Sequence, residues 1–139
     1  MAVLSDTARE ALASGHLAHL TTINPDGSPQ VTVVWIGIDG DDIVSGHLNN
    51  HLKLRNVRRD PRVVVSVETG GRTNGLDHYL VIRGTGRVTE GGAPELLQRL
   101  AHVYLGPDVT FPPPGAPGGY VLRITPERVS GIGPGAETH

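Results

Sequence analysis

The sequence contains no cysteine and only five aromatic residues. The absence of cysteine excludes disulfide frameworks, thiolate metal sites and cysteine nucleophiles. No apolar run reaches the ~18 residues of a membrane-spanning helix, and the N-terminus lacks the basic-then-apolar pattern of a secretory signal. We therefore expect a soluble, cytoplasmic protein without a membrane partner.

The apolar residues that are present are mostly Val, Leu, Ile and Ala. Valine and isoleucine favour strands because branching at Cβ suits a pleated, half-buried surface. The 19 glycines and 11 prolines indicate many turns. A chain of 139 residues has the length of one domain, so we predict that residues 1–139 form a single domain.

Positive charge is concentrated in one short segment around the single lysine, Lys53. From Leu48 to Arg62 the chain has five basic residues and one acidic residue, a balance of +4. The remainder has seven basic and thirteen acidic residues, a balance of −6. A small positive patch on an acidic body favours a small anionic ligand over nucleic acid, which basic domains usually bind through long positive surfaces.

Hydrophobic periodicity and turn signals predict three helices and six strands. The helices are expected at 5–14, from 49 or 50 to about 60, and at 93–105; the strands are expected at 16–24, 29–39, 43–47, 62–68, 78–89 and 120–130. Residues 70–75 and the proline-rich segment 106–119 are predicted to be loops, and residues 131–139 a frayed tail.

This order of elements predicts a mainly β fold, a six-stranded antiparallel Greek-key barrel with peripheral helices. Two predicted strands, 29–39 and 62–68, are apolar on both faces. A strand that is covered on one side only should alternate with polar residues. We therefore expect a second subunit to cover the other side, which predicts a homodimer.

The basic segment also provides the candidate binding residues. Lys53 lies near the start of a predicted helix, where unpaired backbone N–H groups and the helix dipole attract anions. His51 shares that turn, and Asn56 follows Lys53 by three residues, on the same helix face. The pattern predicts a phosphate-binding corner, and the alternative is a solvated, charge-rich helix. No catalytic side chain and no metal site are predicted, because the standard catalytic motifs are absent and the histidine spacings supply no third ligand.

Three segments resemble a known family in their order along the chain: LTTINPDGSPQVTVVW (20–35), KLRNVRRDPR (53–62) and YLVIRGTGRV (79–88). They are similar to the flavin- and deazaflavin-binding split β-barrel proteins, the pyridoxamine 5′-phosphate oxidase-like group, and the likeness spans residues 5–130. The resemblance implies a homodimer of split barrels with two cofactor sites at the interface.

By position, the resemblance also implies the residues that contact the cofactor. Lys53 would bind phosphate, with His51, Arg55 and Asn56 beside it. Three further groups of residues would contact the cofactor. One strand would lie along the cofactor ring (Thr32, Val33, Val34, Trp35), and the end of another would precede the phosphate-binding helix (Ser45, Gly46, His47). The second subunit would bring a third segment to the ring (His78, Tyr79).

The cofactor implied by the resemblance is coenzyme F420. Members that bind FMN and oxidise pyridoxamine phosphate carry an Arg and a Lys on the second strand and Ser-Arg-Lys at the helix start. Here these places hold Val31, Ile36, His51, Leu52 and Lys53. The arginine-rich helix resembles the F420 branch, whose cofactor has an extended anionic tail. The implied function is hydride transfer from reduced F420 to a small conjugated substrate; the alternatives are an FMN-dependent reductase or oxidase and a non-catalytic carrier of F420 or flavin.

Overall fold

The computed structural model describes residues 3–136, which form three helices and seven strands. The helices are α1 (Asp6–Leu12), α2 (Leu52–Arg59) and α3 (Ala93–Tyr104); the strands are β1 (Ala18–Ile23), β2 (Pro29–Val34), β3 (Gly37–Asp39), β4 (Asp42–His47), β5 (Arg62–Thr73), β6 (Leu76–Glu90) and β7 (Tyr120–Ile132). Within these residues no helix has the length and apolar character to cross a membrane.

The strand count differs from the six that the sequence predicts. The predicted strand 29–39 is two strands, because the chain leaves the ladder at Trp35 and Ile36. The predicted loop 70–75 is instead the end of the β5–β6 hairpin, which turns at Asn74 and Gly75 with φ of 53° and 79°. An Asn-Gly pair is a strong signal for such a turn. β7 continues to Ile132, so the predicted tail begins inside the sheet, and residues 137–139 lie outside the described part.

All neighbouring strands pair antiparallel, in the order β2-β1-β5-β6-β7-β4-β3. The two edge strands, β2 and β3, are consecutive in the chain and are joined only by Trp35 and Ile36. Three residue steps span at most about 11 Å, so the two edges must lie close together. The sheet therefore curls into a split barrel whose hydrogen-bond ladder is not closed.

The inner face of the curled sheet holds the hydrophobic core. Along β5, Val63, Val65 and Val67 are buried, as the period of two requires. On the outer face of β2, Val31 and Val33 are 58% and 54% exposed. Strand β2 is therefore apolar on both faces, as the sequence pattern indicates, and its outer face is not covered by other parts of the same chain.

Helix α2 follows β4 and packs against β1 and β6, with Leu54 and Val57 buried. Its last residue is Arg59, before Pro61, which cannot continue a helix. The N-cap is His51, so the helix begins later than position 49 or 50, where the sequence predicts its start. The Asn50 side chain is turned to Arg58, whose guanidinium donates to its Oδ1 at 3.0 Å.

Candidate functional site

A cleft of about 290 Å³ lies where β2 ends and the barrel is split. Six residues that the sequence predicts for the site line it together: Val33, Val34, Trp35, Gly46, His47 and Lys53. They come from β2, the β2–β3 break, the end of β4 and the first turn of α2. The fold therefore brings the predicted strand, strand end and basic helix to one place.

The polar end of the cleft is formed by Lys53 and the first turn of α2. Lys53 is half-buried, and this burial lowers the pKa of its ammonium group. Within residues 3–136 it forms no ion pair. His51 caps α2 without a side-chain hydrogen bond, so the helix start keeps backbone N–H groups that need an acceptor. A partly buried, unpaired cation beside a helix start is suited to an anionic ligand.

His47 stands beside Lys53 and is 7% exposed. Its Nε2 lies 2.8 Å from Ser45 Oγ, which is on the same face of β4. Burial, and then the positive charges of Lys53 and His51, lower the pKa of His47 to about 4. The imidazole is therefore neutral at pH 7 and can form a hydrogen bond in the cleft without adding charge.

The apolar end of the cleft is an aromatic wall, formed by Trp35 and Phe111. Trp35 stacks on Tyr104 with ring centroids 5.2 Å apart at 13°, and meets Phe111 edge-on at 5.8 Å and 68°. Both distances are within the favourable range for aromatic pairs. The Tyr104 hydroxyl accepts from Ile36 N at 2.9 Å and donates to the His16 carbonyl at 2.8 Å. Three of the five aromatic residues thus meet at the split.

Comparison with known proteins identifies the family. The family model described as pyridoxamine 5′-phosphate oxidase matches residues 4–133. The chain belongs to this family. The resemblance read from the three sequence segments is thereby confirmed, and with it the mainly β, antiparallel fold. No curated protein matches the chain closely enough to be counted as a relative.

Solved structures of the same fold include proteins with different descriptions. An F420 reductase is 27% identical, covers 88% of this chain and 94% of its own, and has a TM-score of 0.72. The conserved hypothetical protein Rv2991 from Mycobacterium tuberculosis is 26% identical over 94% and 87% of the chains, with a TM-score of 0.70. General Stress Protein 26 from Bacillus anthracis, at 17% identity, 90% and 88% coverage and a TM-score of 0.61, supports the fold alone.

Asn56 is not brought into the cleft, contrary to the expectation that it shares a ligand-facing side with Lys53. It is fully buried, and its amide donates to Thr22 Oγ1 at 3.1 Å and to Asn24 Oδ1 at 3.0 Å. Its Oδ1 accepts from Arg59 at 3.2 Å. These bonds join α2 to the β1–β2 hairpin, so no atom of Asn56 remains available to a ligand.

Four other predicted residues lie around the cleft without lining it. Ser45 is buried beside His47, and His51 is exposed with its ring centroid 6.1 Å from that of His47. Arg55 is exposed, and its guanidinium donates to the Asn50 carbonyl at 2.6 Å. On β2, the hydroxyl of Thr32 is buried and has no hydrogen-bond partner within the described residues.

His78 and Tyr79 lie in a separate hollow of about 360 Å³. The ring of His78 accepts from Thr73 Oγ1 at 2.7 Å and donates to the Gly70 carbonyl at 3.1 Å, which holds the end of the β5–β6 hairpin together. Neither residue lines the cleft of its own protomer. Their predicted role across a subunit interface stays a prediction.

Three residues that line the cleft are not predicted from the sequence: Leu17, Leu97 and Phe111. Leu97 lies on the buried side of α3, where it is 7% exposed, and it also faces the cleft. Gly46 permits this close packing, because a Cβ there would lie 3.0 Å from Leu97 Cγ. Phe111 could have been found from the sequence, because it is the one phenylalanine of the chain and lies in a proline-rich segment that has no helix or strand pattern.

A larger hollow of about 600 Å³ between α3 and the β4 and β7 strands contains none of the predicted residues. Asp39 and Arg123 form an ion pair of 2.7 Å at its edge, which lowers the pKa of Asp39. Its lining holds no aromatic side chain among the described residues, and the one cation without an ion pair there, Arg99, lies in the same lining as the carboxylates of Glu90 and Glu95. The smaller cleft therefore combines more of the features of a ligand site, since it joins an unpaired cation to an aromatic wall.

Proposed function

We propose that this protein is an oxidoreductase that binds reduced coenzyme F420 in the cleft and transfers a hydride to a small conjugated organic substrate. The observation that carries the proposal is the composition of the cleft lining, in which the cation Lys53 occurs together with the aromatic residues Trp35 and Phe111. Such a site suits a ligand with a planar ring and an anionic group. The similarity to an F420 reductase over 88% of the chain supports this assignment.

The residues present fit the cofactor at both ends. Lys53, which has no ion-pair partner within residues 3–136, would hold phosphate together with the first turn of α2. The aromatic wall and Val33 would hold the ring by burial of apolar surface. When bound, the cofactor supplies the hydride chemistry itself, whereas the protein supplies binding, orientation and a dry environment.

The charge distribution favours F420 over FMN. Val31 and Ile36 occupy the places where FMN-binding members carry basic residues, and neither has a charge; Ile36 is also buried. The other cations of α2 are arranged along its exposed side. Arg55 is exposed, and Arg58 lies 5.3 Å from the centre of the Tyr120 ring. One lysine followed by spread arginines suits a single phosphate with a long anionic tail better than a compact phosphate pocket.

The chain's own contribution to the reaction is positioning. Among residues 3–136, no aspartate or glutamate lines the cleft, and His47 is neutral at pH 7. A neutral imidazole can orient a carbonyl or ring nitrogen through a hydrogen bond, and a proton for the product can come from water. Holding two reacting atoms about 3–3.5 Å apart removes much of a hydride-transfer barrier without a side-chain acid.

The site is proposed to be completed by a second copy of the chain. The cleft of one protomer, about 290 Å³, is just below the range of about 300–1,000 Å³ that small-molecule sites usually have. Val33 lines the cleft and is also exposed on the outer face of β2, next to Val31. A homodimer that covers this face would bury both valines and deepen the cleft at the same time.

The test is a side-by-side titration with F420 and FMN, followed through the fluorescence of Trp35, the single tryptophan of the chain. We expect F420 to bind at least about tenfold tighter, a difference of about 1.4 kcal/mol. Equal affinities, or tighter binding of FMN, would favour the FMN-dependent alternative. Reduced F420 is then mixed with conjugated acceptors: oxidation of the cofactor identifies an enzyme, and tight binding without turnover identifies a carrier.

A further inference from the structure

The proline-rich segment between α3 and β7, residues 106–119, has no assigned role, although it contributes Phe111 to the cleft wall. The segment has few regular backbone hydrogen bonds of its own, such as Val109 N to the Gly106 carbonyl at 3.3 Å. A contact from outside the segment must therefore fix the position of Phe111 against Trp35. A side chain of α3 makes this contact.

Gln98, on α3, is half-buried and bonds the segment on both sides of Thr110. Its Nε2 donates to the Val109 carbonyl at 2.9 Å, and its Oε1 accepts from the backbone N–H of Phe111 at 3.1 Å. A side-chain amide can satisfy one acceptor and one donor in this way only in one orientation. Gln98 thus fixes the backbone at Phe111, one residue before the buried Pro112.

We infer that Gln98 is a positioning residue for the ring-binding end of the cleft: it holds Phe111 edge-on to Trp35 and so makes the segment 106–119 a fixed wall that selects planar, conjugated rings. Gln98 itself does not line the cleft, so it acts through Phe111. A fixed wall lowers the entropy cost of binding a flat ring, because the aromatic side chains need not be ordered when the ring arrives. This inference rests on the proposed ring site.

The first measurement needs no cofactor and so is independent of the proposed function. In Gln98→Met the hydrogen bonds are lost while side-chain length is kept, and acrylamide quenching of Trp35 in the unliganded protein should rise ~2-fold as one of its two neighbouring rings is released. The matched control is Arg99→Met, the same replacement at the next, exposed position, which makes no hydrogen bond or ion pair within residues 3–136. Equal quenching in wild type, Gln98→Met and the control would overturn the positioning role.

The second measurement separates the two ends of the cleft. The probe is the deazaflavin chromophore of F420 without its phosphate and tail. Gln98→Met should weaken its binding about tenfold, or about 1.4 kcal/mol, whereas Lys53→Ala should leave it unchanged. If the wild-type protein binds neither the chromophore nor intact F420, the proposed function fails, and the quenching result alone decides the role of Gln98. Binding of intact F420 without binding of the chromophore would overturn the inference, because the aromatic wall would then not recognise the ring.

The third measurement asks whether Gln98 acts through Phe111. In a double-mutant cycle, Gln98→Met should weaken chromophore binding strongly in the wild-type background and hardly at all in the Phe111→Leu background. Additive losses would overturn the inference, since they would show that Gln98 affects the cleft by another route. A saturated ring compound of similar size should be insensitive to both substitutions; equal sensitivity would contradict selection for planar rings.

Discussion

Lys53→Ala is the substitution that separates binding from folding most clearly. Lys53 is the single lysine of the chain, lines the cleft and has no ion-pair partner within the described residues. A hydrogen bond to a charged group contributes about 1.5–3 kcal/mol. We therefore expect roughly ten- to a hundredfold weaker binding of F420, measured by fluorescence titration at low salt, where surface screening is small.

The same substitution should not destabilise the unliganded protein. Burial lowers the pKa of Lys53, so the folded state binds this proton less well than the unfolded state does. For such a group the penalty on folding is fully present below the folded-state pKa and disappears as pH rises to the unfolded-state value. At pH 7 the penalty is in force, and removing the ammonium group should leave the free energy of unfolding unchanged or slightly higher.

Arg62→Ala is the matched control for Lys53→Ala. It removes the same charge from the same basic segment, but Arg62 is exposed and paired with Asp60 at 2.7 Å. We expect it to change F420 affinity only slightly. If Arg62→Ala and Lys53→Ala weaken binding equally, the general field of the segment attracts the ligand and Lys53 has no special contact. If Lys53→Ala binds normally and folds, α2 is a solvated face and the phosphate site is elsewhere.

Three further predictions concern assembly, pH and the buried amide. Light scattering at micromolar concentration should give about twice the chain mass, and Val33→Glu should shift it towards the monomer because charge is costly in an apolar interface; a monomeric wild type would contradict the interface site. Lowering the pH from about 6.5 to about 4 should reduce the free energy of unfolding of the wild type more than that of His47→Gln, by ~3 kcal/mol at most. The reason is that His47 is protonated in the unfolded state over this range, whereas burial disfavours its protonation in the folded state. Parallel pH profiles of the two proteins in chemical denaturation would show that His47 is not the group responsible. Asn56→Ala should lower the free energy of unfolding by about 2–3 kcal/mol, because it leaves buried hydrogen-bond partners unsatisfied, and the F420 affinity of the folded protein should not change. A loss of affinity without a loss of stability would show that Asn56 contacts the ligand.

Features with local signals could be predicted from the sequence. The β1–β2 turn is marked by Pro25 and Gly27, and the end of α2 by Pro61. Gly84 is a further local signal, because glycine inside a strand often marks a bulge, and the β6–β7 register shifts between Arg83 and Gly84. A Cβ on Gly84 would lie 2.5 Å from the Thr125 carbonyl oxygen, so the close strand contact requires glycine. Each of these signals involves residues that are neighbours in the chain.

Features that depend on distant parts of the chain could not be predicted. The amide of Asn56 faces inwards because the β1–β2 hairpin, more than 30 residues away, brings Thr22 and Asn24 to it. A polar residue near a lysine on a basic helix gives no sign of this in sequence. The strand break at Trp35 could not be predicted for the opposite reason: the run from Val33 to Ile36 is apolar throughout and contains no glycine or proline to mark an interruption.

That strand break explains why the cleft forms at this place. Where the chain crosses from β2 to β3 it leaves the ladder, and the backbone N–H of Ile36 needs an acceptor that no strand supplies. The Tyr104 hydroxyl accepts it at 2.9 Å, which attaches the end of α3 to the split. The ring of Tyr104 then stacks on Trp35, and the segment that follows α3 brings Phe111 edge-on to the indole. Incomplete closure of the barrel thus creates a polar backbone group that must be satisfied, and the residue that satisfies it also supports the aromatic wall of the cleft by stacking on Trp35. Tyr104 therefore connects fold and site: its hydroxyl satisfies a backbone group of the fold, and its ring stacks on Trp35, which lines the cleft.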